Sequence, residues 1–222
     1  MTTLQVTLAA LAVGCVLGIP LEYLAAWSLR VGDQGQPDPL PRRLWATCLA
    51  SGLACAAMVV IVGVGPTLPA WWAYALGGVA ISRTDLARHR IPDVLALGTL
   101  AVGAALLFYA SMQQGASDAY LRAWIAAAAS FAVFLLLSIG GKTGLGMGDV
   151  KLAPTLGLYL GYYGWTDLVL GLFAGFVLGA VVGLFIVVAV RARGGKATEA
   201  LRRAIPFGPF LLVGALLPIA LA

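Results

Sequence analysis

The chain is built from runs of 17 or more mostly apolar residues, broken by polar stretches so short that almost no water-facing surface is left. About 20 residues of α-helix cross the roughly 30 Å of hydrocarbon in a bilayer. Within that layer each segment has to satisfy its own backbone N–H and C=O groups, so such runs form helices. Eight segments are predicted, at about 4–29, 44–62, 69–85, 91–111, 120–139, 149–163, 165–190 and 205–221. A charged fraction of 10% and a mean hydropathy of +0.97 exclude a soluble domain, which carries about 25% charged residues. The expected fold is an all-α polytopic membrane protein, with residues 1–222 forming a single transmembrane domain. The first segment lacks a basic n-region and an Ala-x-Ala site, and reads as a retained helix.

Charge orients these segments. Arg30, Arg42, Arg43, Arg83, Arg88, Arg90, Lys142, Lys151, Arg191, Arg193, Lys196, Arg202 and Arg203 fall on one side, thirteen of the fourteen Lys and Arg residues. Only Arg122 falls on the other. The positive-inside rule then puts both termini outside and four basic connections in the cytoplasm. The net charge of +5 has this topological origin, so lipid is the expected surroundings and nucleic acid is not an expected partner. Trp71, Trp72 and Tyr74, with Tyr162, Tyr163 and Trp165, are predicted to anchor the outer headgroup layer. Cys15, Cys48 and Cys55 stand in apolar runs without Cys-x-x-Cys or Cys-x-x-His spacing, and read as small packed hydrophobes rather than metal ligands.

The sixth segment is short for a span, so it has to extend into its neighbours or meet water within the protein. Pro154, Gly157 and Gly161 allow it to kink or to let another helix approach closely. Gly171, Gly175, Gly179 and Gly183 recur every fourth residue in the seventh segment and point to close helix packing.

Among the nine acidic residues, Asp33, Asp38, Asp118, Asp167 and Glu199 read as solvated. Glu22 lies inside the first segment, where a charge is costly, and must pair, snorkel or become neutral. Asp85 ends the third segment and Asp149 opens the sixth, both at the basic face. One reading makes Asp149 a helix cap and Asp85 a partner for Arg83 or Arg88. The other brings the two carboxylates together, where like-charge repulsion and partial desolvation make them share a proton. Such a pair has the base that activates water and the acid that protonates a peptide carbonyl. Gly140, Gly141, Gly144, Gly146 and Gly148 leave the backbone beside Asp149 nearly bare, which permits tight turns and close approach of an extended peptide. A channel or transporter hinge would use glycines in the same way. Lys151 reads as a tuner of Asp149 or a positive-inside anchor, and His89 as solvated.

Gly146-Met147-Gly148-Asp149 resembles the Gly-x-Gly-Asp signature of bacterial prepilin peptidases, the type IV leader peptidases. Asp85, seven residues before Pro92, is similar to that family's other motif. Ile205-Pro206-Phe207-Gly208-Pro209 resembles the opening of its last helix. The three motifs fall in family order across 70–222. The resemblance implies a membrane aspartyl endopeptidase with Asp85 and Asp149 catalytic and Gly146, Gly148, Lys151, Pro92, Asp93, Pro206 and Gly208 in support. It implies no metal or organic cofactor. The implied substrates are type IV prepilins or pseudopilins with a basic leader, cut at the cytoplasmic face of a bacterial cytoplasmic membrane. The sequence specifies neither the particular substrate nor an oligomeric state.

Two departures stand out. Longer family members carry a domain with paired Cys-x-x-Cys motifs between the first two helices, whereas residues 30–43 are short and contain no cysteine. The first helix reads Gly18-Ile19-Pro20-Leu21-Glu22, in place of Gly-Ser-Phe-Leu-Asn. Proteolysis carries over; N-methyl transfer does not follow from the resemblance. Asp93 stands where the family usually has asparagine and reads as a helix cap or local acceptor rather than a third catalytic acid. The other classes compatible with the residues alone are a proton-coupled transporter, whose carboxylates would lie nearer midplane, and a non-catalytic membrane scaffold.

Overall fold

The computed structural model describes residues 2–32, 44–140, 146–193 and 206–221. Among them run α1 (Thr3–Gly32), α2 (Leu44–Val62), α3 (Leu68–Arg88), α4 (Asp93–Gln114), α5 (Ser117–Gly140), α6 (Met147–Tyr163), α7 (Trp165–Ala192), α8 (Gly208–Gly214) and α9 (Leu216–Leu221). Each predicted segment has its counterpart, and the last is broken at Ala215. The break has a local cause: Pro218 has no N–H to give to the Gly214 carbonyl four residues back, and its ring crowds that group. Proline also opens helices here, with Pro69 and Pro209 in the first turns of α3 and α8. Helices α1, α2, α4, α5 and α7 are long and apolar enough to cross a membrane, and the chain is an all-α, multi-pass membrane protein. The readings for Asp33, Asp38, Arg42, Arg43, Gly141, Lys142, Gly144, Lys196, Glu199, Arg202, Arg203 and Ile205 fall outside the described residues.

Helix α6 is the core. From Asp149 to Tyr162 every residue except Lys151 and Pro154 is buried, by α4, α5, α7 and α8. Its 17 residues are few for a lipid-facing span but suit a helix sheathed by protein on all sides. Close approach is made at glycines: a Cβ on Gly157 would lie 2.5 Å from the Ala126 carbonyl oxygen and 2.7 Å from Ala127 Cα of α5. Arg122 of α5 closes the far end of α6, donating to the carbonyls of Gly161 (2.8 Å), Tyr162 (2.6 Å) and Tyr163 (3.2 Å). These are the carbonyls a helix end leaves free, and a cation complements the dipole there.

The glycines of α7 meet α8 and α9, with Gly171 against Ala215, Gly175 against Leu211 and Gly179 against the Phe207 ring. This is the close packing expected from their four-residue repeat. In the seam between α1 and α2, Gly18 lies against Cys48, Gly52 against Cys15 and Gly14 against Cys55, so the cysteines serve there as small packing residues.

The aromatic residues correct the sequence reading. Trp71 is 0% exposed, and Tyr74 and Tyr162 are buried too, while Tyr163 and Trp165 remain at the surface. Trp71 Nε1 donates to the Tyr163 hydroxyl at 2.9 Å, and Tyr159 and Tyr74 donate to the carbonyls of Ala70 (2.8 Å) and Leu212 (2.9 Å). The polar edge that suits such a ring to the headgroup layer has a protein partner instead, so the ring can be core. The ring centroid of Trp71 lies 5.2 Å from those of Tyr74 and Tyr159, and the two tyrosines are 4.9 Å apart.

The seam between α7 and α8 yields a prediction. A Cβ on Gly214 would run into the backbone of Gly175, whereas one on Gly98 would meet nothing within 4 Å. Gly214→Val should lower stability by about 1–3 kcal/mol, and Gly98→Ala should leave it unchanged or slightly raised. Thermal unfolding in detergent measures both.

Candidate active site

Helices α3 and α6 lie antiparallel. Trp71 and Tyr74 near the start of α3 meet Tyr159 and Tyr163 near the end of α6. The opposite ends, which carry Asp85 and Asp149, are thereby brought to one level. Asp85 stands in the last turn of α3 and is buried. Its Oδ2 accepts the Gly208 N–H at 3.0 Å, a donor left free because α8 begins there. Asp149 is the third residue of α6 and is also buried. Its chain neighbour Gly148 and the Gly208 that holds Asp85 both pack against Ile91.

Asp149 is not the cap of α6. Gly146 holds that position, the Asp149 N–H bonds back to the Gly146 carbonyl at 3.0 Å, and the carboxylate lies back against Gly146. The cap falls where the backbone leaves its extended conformation, at Gly146 with φ −65° and ψ 143°, so Asp149 enters the first turn with its side chain turned inward. Asp93 likewise gives up the cap position, to Pro92. Its carboxylate is instead the acceptor of an ion pair with Lys151, which ties the start of α4 to α6 two residues beyond Asp149.

Ile91 holds the three helix ends together. A Cβ on Gly148 would lie 3.1 Å from Ile91 Cγ1, and one on Gly208 would lie 3.3 Å from Ile91 Cδ1 and 3.0 Å from Asp85 Oδ2. Glycine is what lets α6 and α8 start this close to the end of α3. Pro206 leads into this junction, just ahead of the Phe207 cap of α8.

Of the two arginines weighed as partners for Asp85, Arg83 is bonded to Glu22 of α1, with Nη2 3.0 Å from Oε1. Glu22 thus meets its cost in the membrane by pairing. The residue type of His89 does not foretell that it ends α3 in a left-handed conformation, φ 52° and ψ 40°, its N–H on the Asp85 carbonyl at 2.8 Å. The one hint was Pro92, since a helix tends to stop before the residue preceding a proline. His89 is exposed, as expected, but it lines a cavity of about 470 Å³ shared with Arg90, Ile91, Gly148 and Lys151. On the other side, an apolar groove of about 370 Å³ runs between α2, α3 and α8, past Ala50, Gly78, Arg83, Leu86 and Pro209. Among the described residues, no group of three or more His, Cys, Asp or Glu is arranged to hold a metal ion.

Residues 72–184, half of the chain and including both acids, match the type IV leader peptidase family. The chain belongs to that family. Among curated relatives, prepilin leader peptidase/N-methyltransferase of Pseudomonas putida is 31% identical over 147 residues, 66% of this chain and 46% of its own length. The protein of that name from Burkholderia pseudomallei (strain K96243) is 30% identical over 200 residues, 87% of this chain and 59% of the relative. That of Stutzerimonas stutzeri is 32% identical over 143 residues, 62% and 44% of the two chains. The chain therefore spans about half the length of the curated relatives it matches. No solved structure matches it.

The ion pair between α4 and α6 can be tested directly. Asp93 and Lys151 have side chains 62% and 40% exposed, and such pairs contribute about 0–1 kcal/mol. Lys151→Met should shift unfolding by less than about 1 kcal/mol, with the difference from the unsubstituted protein shrinking as salt is raised.

Proposed function

We propose that this chain is a membrane aspartyl endopeptidase that removes the basic leader from type IV prepilins or pseudopilins. Asp85 and Asp149 are its catalytic pair. The observation that carries this reading is that two buried carboxylates stand at helix ends that both pack on Ile91, with the Gly208 N–H holding one oxygen of Asp85. Family membership supports it. In this reading a water between the carboxylates loses a proton to the ionised acid as it attacks the scissile carbonyl carbon, and the protonated acid gives its proton to the carbonyl oxygen. The proton taken from water then passes to the leaving nitrogen as the C–N bond breaks, and the hydroxyl made from the carbonyl oxygen returns its proton to the acid that gave it as the new carboxyl group forms.

The surroundings suit a substrate with two unlike halves. The apolar groove ends at Arg83, Leu86 and Pro209, beside Asp85 and Gly208. The cavity with charged lining begins at His89 and Gly148 on the other side. An apolar stem in the first and a polar leader toward the second would set the junction at the two acids. The thirteen Lys and Arg residues assigned to one face support a site at the cytoplasmic side, and family membership favours a bacterial cytoplasmic membrane.

Co-expression with a prepilin, following leader loss by gel shift, tests the reading. Asp85→Asn and Asp149→Asn should each lower cleavage by about 10²-fold or more, and Asp93→Asn should remain near the unsubstituted rate. Full cleavage by either of the first two variants rules the pair out as the catalytic acids. Gly208→Val should also cut the rate, because its Cβ would press on the Asp85 carboxylate. With purified protein, the rate should fall at low pH, where both acids are protonated and no base remains, and at high pH, where both are ionised and no donor remains. A flat profile with an intact fold contradicts proton sharing.

A further inference from the structure

We infer that Glu22 is a positioning residue that fixes Asp85 by gripping Arg83, an inference that rests on the proteolytic reading of the site. Glu22 is 1% exposed, in the C-terminal half of α1. Its Oε1 accepts both Nε (3.2 Å) and Nη2 (3.0 Å) of Arg83 on α3, and its Oε2 accepts the Thr47 hydroxyl of α2 at 2.6 Å. One carboxylate thus joins three helices.

Stability alone is a poor account of this arrangement. A buried ion pair has to offset the desolvation of two charges, and apolar residues of similar volume hold helices together as well or better. What the pair provides that apolar packing does not is direction. Two N–H groups of a planar guanidinium converge on one carboxylate oxygen, which sets the rotation of α3 about its axis as well as its distance from α1. Arg83 stands two residues before Asp85, and α3 ends four residues after Asp85 at the left-handed His89. The Gly208 N–H takes Asp85 from the α8 side. The last turn of α3 is therefore held between α1 and α8, and the acid's height and rotation depend on both grips. A displacement of about 1 Å at a catalytic group can cost about 10²-fold in rate, so a small rotation of this turn is enough to matter.

The test compares the purified protein with E22Q and with the double variant E22M/R83M, using a prepilin in detergent. E22Q should lower kcat by about tenfold or more with KM within about twofold. E22M/R83M removes the cost of a lone buried arginine and should recover the thermal stability that E22Q loses, while kcat stays low. A substrate-free measurement reads the grip directly: amide hydrogen exchange across residues 83–90 should be at least about tenfold faster in E22M/R83M than in the unsubstituted protein. Full kcat in E22Q overturns the inference. So does recovery of kcat together with stability in the double variant, or unchanged exchange across 83–90. Failure of the unsubstituted protein to cleave any prepilin would count against the proteolytic reading, and the exchange measurement would still decide the role of Glu22.

Discussion

The register of α3 against α6 is the constraint on which the rest depends. The rings of Trp71, Tyr74 and Tyr159 fix it at one end. Eleven residues then lead along α3 from Tyr74 to Asp85, and ten lead along α6 from Tyr159 back to Asp149. At about 1.5 Å per residue these are about 16 and 15 Å of helix, so the two acids arrive at nearly the same level. A carboxylate one residue out of step on either helix would be rotated by about 100° and face another neighbour. The aromatic cluster thus acts at a distance on the acid pair, through the rigidity of two helices.

Around that axis the other helices divide the work. Helices α5 and α7 bring their neighbours close at glycines, and α1 and α2 reach the end of α3 through Glu22 and Thr47. Unusual local structure gathers where α3, α6 and α8 converge: the left-handed His89, the apolar wedge of Ile91, and glycines at 148 and 208 where a Cβ would be crowded. Concentration of such features at one point is what a site assembled from helix ends requires, since each end must stop or start within a residue of its place.

Much of this was legible in the sequence, and the failures have physical causes. The spans could be read because hydrocarbon demands long apolar runs, and both acids stood out because charge is rare in such runs. The Gly-x-Gly-Asp and Ile-Pro-x-Gly motifs drew attention to Asp149 and Gly208, yet nothing in them said that the Gly208 N–H would bond to Asp85, a contact between residues 123 positions apart. Trp71 and Tyr74 were misplaced at the surface because a ring with one polar edge is equally at home in the headgroup layer and in a core that offers a carbonyl or hydroxyl. Asp149 was weighed as a cap because it is a short acid at a helix start after glycines, whereas the cap is decided by backbone angles at Gly146. The need of Glu22 for a partner followed from its depth, but which arginine would reach it depended on the packing of α1 against α3.

Because α6 is wrapped by other helices, it never meets lipid along most of its length. Hydrophobic mismatch, the strain between a span and the thickness of its bilayer, acts on helices that face acyl chains. Here those include α1, α5 and α7, whose outward faces are broadly exposed, and all three are longer than α6. A thicker or thinner membrane would be met by tilt in the outer helices, while the distance from the aromatic cluster to the acid pair stays as α3 and α6 set it. The internal geometry of the site is thereby insulated from the lipid composition of its host membrane, and only its depth below the headgroups is left to vary.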